Sequence, residues 1–523
     1  MKSLQFSSKR MCVYARRGMV TTGNALASSA GIRMLEKGGN AVDAAIACAA
    51  VLCVVEPTAN GLGSDNFALI WNKDRLYGMN SSGRSPALFS KEAVQAKHGK
   101  DTETMPVSGW TPVTVPGAVA GWVSMHEKFG SLPFEQVLEP AISYAENGFP
   151  IGQETARMWN KGYEKAKKNW KGSEYDGYFE TFGCTVKPGQ IIAEKSIAQA
   201  LRDIAGTRGK SLYEGRLAAR IDEESRKHGG FVRKEDLAAH KVQWVDPVSI
   251  GYKGYEVWEI PPNGQGITAL MALNTIKHFP YDKHVHIEAI KQAFANAKAY
   301  ITDPDWMKTD YHALLSESFG AHCASRIDLN QAKEHGPSDP ACSGTVYLCA
   351  ADQYGNMVSM IQSNYMGFGS GIMVDGVSLQ NRGADFSLSE EDINFAGPNK
   401  RTYHTIIPGF ITKDGKAFAA FGVMGGYMQP QGHVQVVTNV IDRHMDIQSA
   451  LDAPRWMWDR NNVVHVEPGM EEETVAWLRA KGHTVVIENE YSLFGRGQII
   501  VRMENGVYCG ACEPRTDSNI ACC

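Results

Sequence analysis

The sequence predicts an α+β protein in which two sheets pack face to face and helices cover both outer faces. Helical patterns dominate the chain from about residue 20 to about residue 240. From residue 345 onward the apolar pattern changes to a period of two, which is typical of strands. One early helix is apolar on nearly all sides, so we expect it to be buried. No internal repeat or low-complexity linker divides the chain.

Two consecutive helices are predicted over residues 20–57. Gly38 and Gly39 favour a left-handed stop after the first, and Asn40 caps the second. Before residue 345 the predictions, in chain order, are helices at 24–37 and 41–55, strands at 67–71 and 76–80, a helix ending near 129, mostly helical structure to 240, strands at 242–244 and 255–260, an apolar helix after the turn at 261–266, and a helix at 287–301. After it they are strands at 345–351, 357–362, 406–412, 417–423, 463–466 and 498–502, and helices at 431–443 and 471–481.

The composition is that of a soluble globular protein, with 43% hydrophobic and 21% charged residues in a chain of 523. A net charge of −4 and a pI near 6.4 provide no positive surface for nucleic acid or for an anionic membrane. We therefore expect neither of these partners. Residues 1–22 carry five basic residues but no apolar core of signal-peptide length, so we expect a cytoplasmic protein.

The eleven cysteines are scattered through predicted helices and strands, which favours buried free thiols over a disulfide framework. Cys509, Cys512, Cys522 and Cys523 suggest a zinc site, but no histidine is spaced near them as a further ligand. The glycine turn at 60–66 leads into a strand, whereas a dinucleotide loop would lead into a helix. We therefore predict no metal and no cofactor.

Residues 342–358 predict a β-hairpin whose first strand begins at Thr345. An apolar run meets the turn Asp352–Asn356, written Asp-Gln-Tyr-Gly-Asn, and resumes with Met357. Gly344 leaves its carbonyl open to close approach, and the run Glu-His-Gly-Pro-Ser-Asp-Pro at 334–340 is predicted to be disordered. This layout is typical of a chain cut before a threonine. An ordinary strand threonine is the alternative.

Cleavage of the Gly344–Thr345 bond would give Thr345 a free α-amine. The reference pKa of such an amine is about 7.7 to 8.0, so near pH 7 a sizeable neutral fraction could accept the hydroxyl proton. Nucleophile and general base would then belong to one residue.

The run Thr-Val-Tyr-Leu-Cys-Ala-Ala-Asp-x-x-Gly-Asn-Met-Val at 345–358 resembles the region around the catalytic threonine of the γ-glutamyltransferase family. Further similar motifs occur in the expected order at 38–45, 113–122 and 367–371. The resemblance spans nearly the whole chain. It implies an N-terminal nucleophile hydrolase fold, an αββα four-layer sandwich, with a large segment 1–344 and a small segment 345–523 that form one composite domain after cleavage.

The resemblance also implies a set of site residues. Thr345 is the nucleophile, and Ser363 replaces a second hydroxyl that hydrogen-bonds to it; a buried strand serine is the alternative. Gly425 and Gly426 match paired glycines whose N–H groups stabilise the oxyanion. Asp385 matches the aspartate that pairs with the α-ammonium of the substrate.

Arg84, which precedes Pro86, is the candidate clamp for the α-carboxylate of the substrate, although it lies closer to the proline than the arginine of better-known members. A surface arginine is the alternative. Arg382 replaces a neutral residue of the family, and pairing of Arg382 with Asp385 would remove Asp385 from the substrate.

Three further positions depart from the family pattern. Tyr365 stands where the family has an asparagine, and His404 and Thr405 stand where it has two serines. All three are predicted to lie in the substrate site, His404 as a substrate contact. The segment between Ser387 and Gly397 is too short for the lid loop of many bacterial members, so we expect an open groove in which water competes well with amine acceptors.

The sequence therefore predicts a self-cleaving amidase and transferase acting on glutathione or a related small γ-glutamyl compound. A cephalosporin (glutaryl) acylase of the same family is one alternative, and an uncleaved homologue that only binds γ-glutamyl compounds is another. The two segments of the chain are the predicted protein partners of one another. The assembly state, including a higher homo-oligomer, is left open.

Overall fold

The computed structural model describes residues 10–334 and 344–523. Of the run 334–340, which the sequence predicts to be disordered, residues 335–340 lie outside these ranges. Within them the strands are β1 (Val13–Ala15), β2 (Gly18–Thr22), β3 (Asp65–Asn72), β4 (Arg75–Ser81), β5 (Phe149–Pro150), β6 (Ile191–Ile192), β7 (Gln243–Val245), β8 (Val248–Tyr252), β9 (Tyr255–Glu259), β10 (Gly344–Asp352), β11 (Met357–Tyr365), β12 (Met373–Val374), β13 (Val377–Ser378), β14 (Gly409–Lys413), β15 (Lys416–Met424), β16 (Trp456–Trp458), β17 (Val463–Val466), β18 (Thr484–Ile487), β19 (Arg496–Arg502), β20 (Tyr508–Cys512) and β21 (Asn519–Cys522).

The α-helices of the same ranges are α1 (Ala25–Glu36), α2 (Ala41–Val55), α3 (Lys91–His98), α4 (Ala118–Phe129), α5 (Phe134–Asn147), α6 (Gln153–Asn169), α7 (Asp176–Phe182), α8 (Lys195–Thr207), α9 (Lys210–Tyr213), α10 (Arg216–Lys227), α11 (Lys234–Ala238), α12 (Gly266–Ile276), α13 (Lys283–Tyr300), α14 (Glu317–Ser325), α15 (Met428–Ile441), α16 (Ile447–Asp452) and α17 (Glu472–Ala480). None of these helices is long and apolar enough to cross a bilayer.

Two seven-stranded sheets form the centre of the molecule. The first has the order β21-β2-β10-β11-β3-β4-β7, and the second has the order β1-β20-β19-β15-β14-β9-β8. Their inner faces share an apolar core that includes Phe67, Tyr347, Ile361, Phe410 and Ile500. The predicted pair of packed sheets is confirmed.

Helices cover both outer faces. α1, α2 and α4 pack on the first sheet, with α5 and α8 outside α2, and α12 and α15 pack on the second, with α13 outside α12. Every residue of α2 is buried, as its continuous apolar sequence requires. Its first turn is fixed by a capping box in which the Asn40 side chain accepts from the N–H of Asp43 and the Asp43 carboxylate accepts from the N–H of Asn40. The α+β, four-layer αββα prediction is confirmed.

The segments before and after Gly344 contribute strands to both sheets. In the first sheet β10 and β11 lie between β2 and β3, and in the second β15 and β14 lie between β19 and β9. Neither segment holds a complete sheet by itself, so both are needed for either core.

Several elements differ from the sequence predictions. The terminal strands β1, β2, β20 and β21 were not predicted, because they form by pairing between the two ends of the chain, β1 with β20 and β2 with β21. The strand predicted at 406–412 begins only at Gly409, since Pro408 has no N–H to donate to a ladder. β8 was also missed. All ten described cysteines are free thiols and six of them are buried, which confirms that prediction for the described part.

Candidate active site

Thr345 lies at the start of β10, in the interior of the first sheet. Gly344 pairs with Tyr365 while Val346 pairs with Gln362, so the register shifts by one residue at Thr345. Such a β-bulge re-aims a side chain, and here the hydroxyl of Thr345 lies 3.0 Å from that of Ser363. The predicted hydroxyl pair is therefore in hydrogen-bonding contact.

Ser363 also fixes the backbone of β11 at Tyr365, two residues further along the chain. Its Oγ accepts from the N–H of Tyr365 at 2.8 Å, which is compatible with donation of its own proton toward Thr345. Tyr365 has a positive φ of 75°, a conformation that costs free energy for a bulky residue and recurs at functional sites. This turn sends the Tyr365 ring away from β11 and toward Asp385.

Asp385 is a half-buried carboxylate held by two phenols. Its Oδ1 accepts from Tyr365 Oη at 3.0 Å and from Tyr427 Oη at 2.9 Å. Its Oδ2 has no hydrogen-bond partner among the described residues. Burial raises the pKa of Asp385, and the nearby Arg382 charge opposes that rise. Oδ2 is thus available to a donor such as an ammonium group.

Gly425 and Gly426 follow directly on the end of β15. Their φ values are 138° and 60°, in the region that favours glycine, and a Cβ on Gly425 would lie 3.0 Å from the Cα of Gly495. The carbonyl of Gly426 accepts from Gln265 Nε2 at 2.8 Å. This contact fixes the peptide, so the glycine pair has the backbone freedom and the support that an oxyanion site needs.

Arg382 is fully buried and does not form the pairing with Asp385 that the sequence had raised as an alternative. Its guanidinium lies over the Tyr365 ring, with Cζ 4.1 Å from the ring centroid, and its Nη1 donates to Thr405 Oγ1 at 2.7 Å. Nε and Nη2 have no hydrogen-bond partner among the described residues. Thr405 therefore positions the Arg382 side chain, and its place in the substrate site stays a prediction.

Asp65 links Arg382 to His404. Its Oδ2 accepts from His404 Nε2 at 3.0 Å and lies 3.7 Å from Arg382 Nε, and its Oδ1 accepts from the N–H of Gly83 at 3.1 Å. Asp65 pairs directly with Ser363 across β3 and β11, so the two side chains lie on the same face of the sheet. This places the Asp65 cluster beside the hydroxyl pair.

His404 occupies an interior position, and its predicted contact with substrate stays a prediction. Besides its bond to Asp65, its Nδ1 accepts from the N–H of Ile406 at 3.4 Å, and its ring packs on Phe67. Burial lowers the pKa of His404 to about 4, so the ring is neutral near pH 7. Its polar atoms are used within the protein, where it orients Asp65.

Arg84 also differs from its predicted role. Nη1 pairs with Asp303 at 2.7 Å and Nη2 with Asp305 at 2.8 Å, and Nη1 also donates to the carbonyl of Asn399. These two carboxylates already neutralise the guanidinium. The geometry therefore argues against Arg84 as the clamp for a substrate carboxylate.

The expected open groove is absent over this part of the uncleaved chain. Thr345, Ser363 and Arg382 are all fully buried. The short segment in place of a lid is tied down, because Asn394 Nδ2 donates to the carbonyl of Asp385 and Lys400 Nζ donates to two carbonyls of the segment. β10 also continues back through Gly344, so the strand end is not yet free.

A possible metal-binding cluster lies elsewhere. Among the described residues the one group of three or more His, Cys, Asp or Glu side chains close enough to share an ion is His284, Glu288 and His483. Glu288 is paired with the buried ammonium of Lys291 at 2.6 Å, which supplies the positive charge that an ion would bring. The predicted absence of zinc ligation by the carboxyl-terminal cysteines stays a prediction.

Sequence reasoning did not identify Asp65, Tyr427 or Gln265 as site residues. Tyr427 directly follows the glycine pair, and Gln265 belongs to the turn at 261–266 that precedes an apolar helix. The position of these two residues, next to a glycine pair and in a turn, was the one sequence signal that could have marked them as site residues. Asp65 carried no signal beyond its place in a glycine turn, because its partners Arg382 and His404 belong to the other segment, beyond Thr345.

Comparison with known proteins gives matches over nearly the whole chain. The family model described as "Gamma-glutamyltranspeptidase" matches residues 27–523. The "Glutathione hydrolase-like YwrD proenzyme" of Bacillus subtilis (strain 168) is 35% identical, over 97% of this chain and 98% of that protein. The "Glutathione hydrolase proenzyme" of Escherichia coli (strain K12) is 30% identical, over 96% and 91%. The "Crystal structure of cephalosporin acylase from Bacillus halodurans" superposes with a TM-score of 0.96 at 46% identity, over 100% and 99%.

Proposed function

The chain belongs to the gamma-glutamyltranspeptidase family, whose members are enzymes with the N-terminal nucleophile hydrolase fold, and we propose that it cleaves itself before Thr345 and then cleaves γ-glutamyl amides such as glutathione. The observation that carries the proposal is the contact of the Thr345 and Ser363 hydroxyls at 3.0 Å, at a bulge directly after Gly344. A hydroxyl pair there serves both steps, because both begin with attack by Thr345 Oγ.

In the first step Thr345 Oγ adds to the carbonyl carbon of Gly344. The peptide C–N bond breaks, the nitrogen takes a proton and becomes the α-amine of Thr345, and Gly344 is left as an ester on Oγ. Water then hydrolyses the ester to a Gly344 carboxylate and a free Thr345 hydroxyl. The strand register brings Gly344 opposite Tyr365, which fixes the scissile carbonyl relative to the site.

In turnover the neutral α-amine takes the proton from Thr345 Oγ as Oγ adds to the acyl carbonyl. The N–H groups of Gly425 and Gly426 stabilise the oxyanion of the tetrahedral intermediate, and loss of one such donor typically costs about 2.7 to 4 kcal/mol of barrier. Collapse breaks the amide bond, and the leaving amine takes a proton from the Thr345 ammonium. Water or an amine acceptor then attacks the γ-glutamyl ester and restores the hydroxyl.

Asp385 supports a γ-glutamyl donor over a simple acyl donor. Its Oδ1 is held by Tyr365 and Tyr427, while Oδ2 has no partner within the described ranges and can accept from an α-ammonium. An ammonium would also offset the cost of keeping this carboxylate charged in a site where burial raises its pKa.

A glutaryl acylase is the second candidate, and one observation favours it. The matched structure described as a cephalosporin acylase is 46% identical to this chain, above the 35% and 30% of the two glutathione hydrolase relatives. A glutaryl donor lacks the α-ammonium, so it would leave Asp385 Oδ2 unused. Rates with γ-glutamyl and glutaryl p-nitroanilide separate the candidates, since equal rates would exclude recognition of the amino group.

The proposal is tested with Thr345→Ala and Thr345→Ser. The first should remain a single uncut chain and release no p-nitroaniline, whereas the second should still yield the fragments 1–344 and 345–523 and retain turnover. Thr412→Ala removes a buried strand hydroxyl outside the site and should behave as wild type. If the wild-type chain stays uncleaved and inactive but binds γ-glutamyl compounds, it is a binding protein and the proposal is wrong.

A further inference from the structure

We propose that Arg382 binds a carboxylate of the acyl donor, so that the enzyme selects donors with a free carboxylate at the end of the acyl chain remote from the scissile amide. The inference rests on the proposed function and adds the residue that determines its substrate class. It is carried by a fully buried guanidinium, two of whose nitrogens have no hydrogen-bond partner among the described residues.

Such a guanidinium is costly unless it is paired. Its nearest carboxylate within the described ranges is that of Asp65, at 3.7 Å from Nε, which is beyond hydrogen-bonding distance and is shared with His404. The Tyr365 ring and the Thr405 hydroxyl support one face and one nitrogen only. Nε and Nη2 form one edge of the guanidinium, and two parallel N–H groups on one edge match the two oxygens of a carboxylate.

The position of Arg382 fits the length of a glutaryl or γ-glutamyl group. Asp65, which Arg382 approaches, pairs across the sheet with Ser363, and directly opposed Cβ atoms lie about 5 Å apart. Ser363 in turn contacts Thr345. Asp65 and Ser363 thus connect Arg382 to Thr345, and the glutaryl group that would bridge the two has four bonds between its carboxyl carbons.

Other basic side chains near the site are already in use. Arg84 pairs with Asp303 and Asp305, and Lys400 donates to two backbone carbonyls. Arg401 donates through Nε to the carbonyl of Ser82. Of these four cations Arg382 alone has two buried nitrogens without a hydrogen-bond partner in the described structure, so it takes the role that the sequence had suggested for Arg84.

The test compares two p-nitroanilides that differ only at the remote end, one with the carboxylate of glutaric acid and one with the neutral carboxamide. Wild type should prefer the carboxylate in kcat/KM by about 100-fold, the range expected for a charge-assisted bidentate pair. In Arg382→Gln the preference should fall to near unity, because the carboxylate loses its partner and the carboxamide does not. Arg382→Lys keeps the positive charge but not the two parallel N–H groups. Its preference for the carboxylate should therefore lie between that of wild type and that of Arg382→Gln.

Arg84→Gln is the matched control. It also tests the competing assignment, in which Arg84 binds the carboxylate of the donor. It should retain the wild-type preference; a preference lost in Arg84→Gln, or kept in Arg382→Gln, overturns the proposal. Each preference is a ratio measured on one preparation, so partial misfolding or incomplete cleavage does not change it.

Glutarate binding, measured by calorimetry, tests the same contact without turnover. Wild type should bind glutarate at least about 100-fold more tightly than Arg382→Gln does, and equal binding overturns the proposal. Wild type that binds glutarate but hydrolyses neither anilide refutes the proposed function and leaves the carboxylate site supported. Wild type that hydrolyses both anilides equally refutes the carboxylate site and leaves the amidase supported.

Discussion

Ser363 provides the Thr345 hydroxyl with a hydrogen-bond partner inside the sheet. The same oxygen accepts from the N–H of Tyr365, so one serine contacts the proposed nucleophile and anchors the strained residue two positions further along. A hydroxyl in this position can donate to Thr345 Oγ as negative charge develops there or accept its proton in the resting state. The role of Ser363 is therefore one of positioning.

Ser363→Ala should slow p-nitroanilide hydrolysis about fivefold in kcat, because one hydrogen bond of about 1 kcal/mol is lost and the N–H of Tyr365 is left without its acceptor. Ser363→Thr retains the hydroxyl and should restore most of the rate. Self-cleavage should slow in parallel, since the same oxygen attacks in both steps. Wild-type rates of cleavage and hydrolysis in Ser363→Ala would contradict this role.

The two arginines show where residue-scale prediction fails. Arg84 was identified because it precedes a proline on a turn, yet its partners Asp303 and Asp305 lie in a distant part of the sequence. Pairing of Arg382 with Asp385 was an alternative, and Arg382 instead lies over the Tyr365 ring. Both outcomes depend on tertiary packing, which no local pattern encodes. Thr345, Ser363 and Asp385, in contrast, were identified from contiguous motifs, and their roles in the site stay predictions.

At the scale of the element, predictions succeeded where local chemistry determines both ends. The second helix was predicted at 41–55 and extends over Ala41–Val55, because Asn40 caps it and Pro57 prevents its continuation. Val463–Val466 was likewise predicted with its observed bounds. Such elements carry their start and stop signals within their own sequence.

Elements defined by distant pairing were missed. β2 (Gly18–Thr22) is buried at every residue because the inner core and the covering helices enclose both faces, so it shows no period of two. β21 exists only through pairing with β2, at the opposite end of the chain. The physical cause is that a central or terminal strand gains its hydrogen bonds from a partner and not from its own sequence.

The fold of the whole molecule is compatible with the proposed cleavage, because the two segments interleave. β10, which begins at the scissile bond, lies between β2 and β11, and its side chains contribute to both the inner core and the core under α2. Breaking the Gly344–Thr345 bond removes no strand from either sheet. Thr345 can therefore become a chain terminus while it stays fixed in the interior.

Stability of the whole molecule should fall in acid, and His286 allows one contribution to be measured. Burial lowers the pKa of His286 to about 3, whereas the unfolded ring has a pKa near 6.5. Below pH 6.5 the unfolded chain binds the proton that the folded chain excludes, so this stability is lost as pH falls toward 3. His404 and His483 have pKa values lowered in the same direction.

Urea unfolding of wild type and His286→Gln at pH 7.5 and pH 5 measures this contribution. Wild type should lose about 2 kcal/mol more than the variant between the two pH values, since each pH unit below 6.5 costs about 1.4 kcal/mol per excluded proton. Comparing the two proteins cancels the other titrating groups, including Glu56, whose burial raises its pKa to about 8 and acts in the opposite direction. Equal losses would show that His286 is protonated in the folded state.

Intact-mass and amino-terminal analysis of the purified wild-type protein tests the central claim most directly. The account predicts two fragments, 1–344 and 345–523, the smaller beginning at Thr345 with an unblocked α-amine. A protein that hydrolyses γ-glutamyl amides at full rate as one uncut chain, or whose smaller fragment begins at another residue, would contradict it.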